Sequence, residues 1–120
     1  MSKKTLVIGA SLKSDRYSNR AIKKLVAHNN EVVAIGLHAG VVANVEIDTD
    51  KVAYQNVDTV SLYLNPKRQA DYFDYIISLN PKRVIFNPGT ENPEFYTLLE
   101  ANNIAFEEAC TLVLLSINQF

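Results

Sequence analysis

Thr5-Leu6-Val7-Ile8-Gly9, followed at once by Ala10-Ser11-Leu12-Lys13-Ser14-Asp15-Arg16-Tyr17-Ser18-Asn19-Arg20, is the stretch on which the fold turns. Its first five residues form a short continuous apolar run closed by glycine, the pattern of a strand covered on both faces in a parallel sheet. From Asn19 to Asn29 the apolar positions Ala21, Ile22, Leu25 and Val26 recur at three- and four-residue spacing, while Arg20, Lys23 and Lys24 fall on the other side. That is an amphipathic helix, ended near Asn29-Asn30 because asparagine tolerates a left-handed turn. Strand, tight glycine turn and helix in this order open a βαβ unit.

The pattern repeats along the chain. Glu31 to Ile35 is short and β-branched, a second strand closed by Gly36. Leu37 to Val57 mixes Gly40, Asn44, Asp48, Thr49 and Asp50 with brief apolar pieces, and reads as a crossover with little regular structure. Asp58 to Leu64 is a third strand, with Val60, Leu62 and Leu64 on one face and Ser61 and Tyr63 on the other. Asn65-Pro66 starts a helix: asparagine caps free N–H groups, and proline suits a first-turn position. Ala70, Phe73, Ile76 and Ile77 form its core stripe. Arg83 to Phe86 is a fourth strand, Asn87-Pro88-Gly89 a turn, and Asn92-Pro93-Glu94 a second Asn-Pro helix start, with Phe95, Leu98 and Leu99 facing inward. Ile104 to Phe106 makes a fifth strand, and Leu112 to Ile117 a terminal helix. Each of the four prolines follows an asparagine at an element boundary. Alternating strands and helices mean right-handed crossovers, here a single α/β Rossmann-like domain over residues 1–120 with strand order 3-2-1-4-5. Ligands of such sheets sit beyond the carboxyl ends of the strands, at the switch point between strands one and four of that order.

Composition narrows the partners. A net charge of -1 offers no basic excess for nucleic acid and no polybasic run for an anionic membrane. Cys110 is the only cysteine, which excludes an internal disulfide framework and fits a reducing cytoplasm. The apolar run Leu6 to Ile8 is far too short for a signal-peptide core or a membrane span. Six large apolar residues crowd the last nine positions, namely Leu112, Val113, Leu114, Leu115, Ile117 and Phe120, so either a last core helix or a homodimer through this segment is expected.

The turn after the first strand is the place for chemistry. Gly9 lets the backbone turn, and the free N–H groups of the loop and helix start favour a phosphate or pyrophosphate. Ser11 and Ser18 add hydroxyls, and Lys13 and Arg16 add positive charge within reach of the same anion. The string Gly9-Ala10-Ser11, then Lys13, Asp15-Arg16 and Ser18, resembles the signature of small bacterial CoA-binding proteins related to the nucleotide-binding domain of the succinyl-CoA synthetase alpha subunit. Val57-Asp58 with Val60 is similar to that family's entry to its third strand. Asn87, Gly89 and Asn92 match an amide residue, a glycine and an asparagine after its fourth. Cys110 matches a cysteine near its C-terminus. Two departures stand out: Ser14 replaces a proline, and Gly36-Leu37-His38 replaces Asn-Pro and a basic residue.

The resemblance implies binding of coenzyme A or a short acyl-CoA. Its pyrophosphate would lie on the loop Gly9 to Ser18, and its 3′-phosphate would meet Arg16, Lys13 or His38. The adenine would lie between the loops at Leu37 and at Asn65-Pro66. Asn87 and Gly89 complete the expected binding set, and no catalytic or metal-binding residue is expected. Cys110, with no histidine close in sequence and Glu107 and Glu108 beside it, reads as a packed structural thiol. Tyr63, Tyr72 and Tyr75 read as packing residues. Three rivals share parts of this reading. A fragment of an NAD(P)-dependent oxidoreductase would want an acid ending the second strand, where Gly36 and Leu37 stand. A receiver-like domain would want acids after the first strand. A ligand-free interaction or scaffold module would suit the departures at Gly36.

Overall fold

The structure, a computed structural model, describes residues 2–120. Seven strands form one sheet: β1 (Thr5–Ala10), β2 (Val32–Gly36), β3 (Gly40–Val42), β4 (Val45–Asp48), β5 (Thr59–Leu62), β6 (Arg83–Phe86) and β7 (Ala105–Glu108). They lie in the order β3-β4-β2-β1-β5-β6-β7, and every pair is parallel except β3 with β4. The helices are α1 (Tyr17–Ala27), α2 (Pro66–Gln69), α3 (Phe73–Leu79), α4 (Pro93–Ala101) and α5 (Thr111–Ser116), with a 3-10 turn at Ala70–Tyr72 joining α2 to α3.

The α/β class is the expected one, but the strand count and identities need correction. Leu37 to Val57 is not irregular: it contains the β3–β4 hairpin, and β4 takes the place beside β2 expected for the Asp58 to Leu64 strand, β5. That strand pairs with β1 from the other side. The six parallel strands alone therefore keep the doubly wound order, with β4 as the third and β5 as the fourth. The switch point lies between β1 and β5, not between β1 and the strand at Arg83. The hairpin was hidden because its two-residue turn carries positive φ at Ala43 (50°) and Asn44 (65°). Such a turn normally announces itself with Asn-Gly.

Two apolar layers enclose the sheet. Leu6, Ile8, Val60, Leu62, Val84 and Phe86 pack with Phe73 and Ile76 of α3 and Phe95 and Leu99 of α4. On the opposite face Val7, Ala34, Val45 and Ile47 pack with Ile22 and Leu25 of α1 and Leu115 of α5. The alternation along β5 is the expected one: Val60 and Leu62 serve the first layer, and Tyr63 just beyond them serves the second. Val26, Ala70 and Leu98, expected in core stripes, are exposed, because each sits one helical step off the buried face. In α5 Leu115 is buried while Val113, and Ile117 just past the helix, are exposed. Helix and strand ends are turned by asparagines in left-handed conformation at Asn29, Asn44, Asn56, Asn80, Asn103 and Asn118.

Candidate functional site

The carboxyl ends of β2, β1, β5 and β6 bring together most of the residues singled out in the sequence. Gly9 has φ of +93°, and a Cβ there would lie 3.0 Å from the Tyr63 backbone, so only glycine lets β1 turn this close to β5. Gly36 is similarly confined, since a Cβ on it would collide with the Ala10 carbonyl oxygen. The loop that follows is held by two contacts. The Asn19 Nδ2 donates to the Ser11 carbonyl at 2.9 Å, and the Lys13 N–H donates to the Ser11 hydroxyl at 3.1 Å.

Above this loop α1 begins without a cap. Arg16 is the boundary residue, in extended conformation and with no side-chain bond to the helix. The N–H groups of Tyr17, Ser18 and Asn19 carry no hydrogen bond among the described residues. Lys13 and Arg16 are exposed beside them, and neither joins any ion pair among the described residues. Three oriented donors, the positive end of an eleven-residue helix and two uncommitted bases form an anion cradle. The residues present thus fit a pyrophosphate. Ser18 is buried in the first turn. Asn19, not among the residues the sequence marks for binding, is 2 % exposed, and its Oδ1 has no partner among the described residues. The signal for it was available: a polar residue one turn ahead of Ile22, on the helix's buried side.

The remaining expected residues divide. Leu37 and His38 are exposed on the loop after β2, and Asn65 and Pro66 are exposed after β5. Because β2 and β5 are the two neighbours of β1, these loops flank the Gly9 turn from opposite sides. Asn65 caps α2, its Oδ1 accepting from the Arg68 N–H at 3.0 Å. Gly89 is exposed, with φ of +93° and open space beside it. Asn87 is different, because both ends of its amide are engaged inside the protein. Its Nδ2 donates to the Ser61 hydroxyl and the Leu62 carbonyl, each at 2.9 Å, and its Oδ1 accepts from the Thr111 N–H at 2.8 Å. Ser61 and Thr111 share a further hydroxyl bond of 2.8 Å. Next to them, the Gln69 amide donates to the Leu64 and Thr90 carbonyls and accepts from Asn92. This buried lattice joins the ends of β5 and β6 to α2 and α5, and no spacing in the sequence announces it.

Several tyrosine hydroxyls are held in their protonated form. Burial pushes Tyr63 up to about 12, with the nearby Ser61 and Thr111 hydroxyls opposing, and its oxygen has no partner in hydrogen-bond geometry. Burial raises Tyr54 beyond the ordinary tyrosine range, reinforced by its bond to Asp48. Neither can act as a base near neutral pH. A surface depression of about 550 Å³ lies at the other end of the strands. Lys4 and Lys82 line it but pair with Glu31 and Asp58 at 3.5 and 3.7 Å. Ligands of doubly wound sheets bind at the opposite, carboxyl end, where the donors are free.

Fold and edge together define a Rossmann-type α/β domain whose first turn has the make-up of an anion cradle. The chain belongs to the CoA binding domain family, whose model matches residues 3–116. A crystal structure described as an uncharacterized protein is similar at 43% identity and a TM-score of 0.97, covering 100% of this chain and 99% of that one. A Thermus thermophilus protein shares the fold at 17% identity and a TM-score of 0.87, covering 99% of this chain and 91% of its own. A hypothetical protein from Pyrococcus horikoshii does so at 22% identity and a TM-score of 0.81, covering 94% and 82%. Among curated proteins none matches. No helix among the described residues is long and apolar enough to cross a membrane.

Proposed function

We propose that the chain binds coenzyme A or a short acyl-CoA without transforming it, with the pyrophosphate held by the loop from Gly9 to Ser18. The uncapped start of α1 carries this reading. Its free Tyr17, Ser18 and Asn19 N–H groups stand beside Lys13 and Arg16, in a chain of the CoA binding domain family. In this role the three N–H groups orient the pyrophosphate, the two bases neutralise it, and the Gly89 turn lies open on the side left for the pantetheine arm. Self-association through α5 belongs to the same proposal, supported by the outward Val113 and Ile117. Light scattering at micromolar concentration tests it, with a monomer as the opposing result.

Thermal unfolding with coenzyme A, NAD and FMN side by side tests the main reading. Coenzyme A at a hundred times its dissociation constant should add about 2.7 kcal/mol of stability. A rise in Tm with NAD and none with coenzyme A would overturn the proposal.

A further inference from the structure

We infer that this site prefers the skeleton of coenzyme A carrying a free ribose 3′-hydroxyl, and disfavours the 3′-phosphate that completes the coenzyme. The inference rests on the pyrophosphate lying at the start of α1, as proposed above. In a doubly wound sheet that placement sends the adenosine ribose toward the end of the second strand, here Gly36 and the loop after it. The surface on that side suits a purine: Leu12 and Leu37 are 47% and 68% exposed. Leu12 lies against Gly40, where a Cβ would overlap it, so the Gly9 loop reaches the hairpin on the face that Val42 shares, while Val41 stands on the other face opposite Glu46.

The charges on the same side are wrong for a phosphate. From Gly36 to Asp50 there is no lysine or arginine, whereas Glu46, Asp48 and Asp50 are present. Glu46 and Asp48 both line an open depression of about 310 Å³ that runs past Gly40. Asp48 is in register with Ile35 at the end of β2, and Tyr54 donates to its Oδ2. The nearest lysine in sequence, Lys51, is turned away, donating to the Asp71 carbonyl and lying over the Tyr72 ring. Lys13 and Arg16 belong to the loop leading into α1, where the pyrophosphate claims them. His38 is the one basic residue between Gly36 and Asp50. A phosphate monoester carries about two negative charges near neutral pH and would face carboxylates here. A ribose hydroxyl has no such conflict and can donate to one of them.

Calorimetric titration of the intact chain with dephospho-coenzyme A and coenzyme A, at one ionic strength and near neutral pH, tests this. Dephospho-coenzyme A should bind about tenfold more tightly. The Glu46→Lys variant, altered at an exposed hairpin position, should bind coenzyme A more tightly by about threefold or more and leave dephospho-coenzyme A unchanged. Equal affinities, or a preference for coenzyme A, overturn this inference and leave the proposed function standing. Binding of neither compound overturns both.

Discussion

The two sides of β1 manage their polar groups in opposite ways. Toward β2 the edge is open: the first N–H groups of α1 are free, Lys13 and Arg16 stand in solvent, and apolar side chains are left uncovered. Toward β5 and β6 the polar side chains are engaged inside: Asn87, Ser61 and Thr111 bond one another, and Gln69 bonds the Leu64 and Thr90 carbonyls and Asn92. Similar residue types, amides and hydroxyls after a strand, are thus left exposed on one side and taken up in construction on the other. What separates them is burial. A buried polar group must find its partner within the protein, whereas an exposed one can wait for a ligand.

The contrast can be broken by mutation. The largest effect is expected from Asn87→Ala, which strands the Thr111 N–H and the Leu62 carbonyl in the interior and should cost about 2–4 kcal/mol of stability. Urea unfolding measures it. Affinity for coenzyme A in the folded fraction should hold within about twofold, a change of under about 0.5 kcal/mol. A stable variant that no longer binds would move Asn87 to the open side. Arg16→Ala should do the reverse, weakening binding by about 1.5–3 kcal/mol with no change in Tm, since the side chain has no ion pair among the described residues to lose. An unchanged affinity would show that the guanidinium points away from the ligand.

Smaller effects sharpen the comparison. Tyr63→Phe removes a buried hydroxyl without a partner, so stability should stay level or rise by about 1 kcal/mol at neutral pH. A marked loss would reveal a hydrogen bond there. Alkaline titration of the parent chain gives a related test. Tyr63, Tyr75 and Tyr96 are each pushed up to about 12, by burial first. Above the ordinary tyrosine value the unfolded chain gives up phenolic protons that the folded chain retains, so stability should fall steadily as pH rises from 10 towards 12. Tyr63→Phe should make that decline shallower.

Much of this was legible in the sequence, and the failures have physical causes. The Gly9 turn and α1 were readable because apolar periodicity and a glycine report local backbone demands. The β3–β4 hairpin was not, because Ala43 and Asn44 adopt its turn without a glycine and its strands span three and four residues. Missing it displaced the third strand to the wrong side of β1. At the candidate site, Gly9, Ser11, Lys13 and Arg16 stand out in the sequence because the loop is contiguous. Asn87 could be named but not interpreted, since its partners come from Ser61, Leu62 and Thr111, distant in sequence and visible only once the strands are side by side.

The left-handed asparagines that end so many elements bear on the state of the chain before it folds. A glycine would meet those backbone angles with less strain, but it would also let the unfolded chain roam over many more conformations. With asparagine at six such positions, the chain accepts some local strain in the native state and keeps its denatured ensemble smaller. Part of what holds this domain together is therefore invisible in its contacts. It lies in the disorder that the unfolded chain is denied.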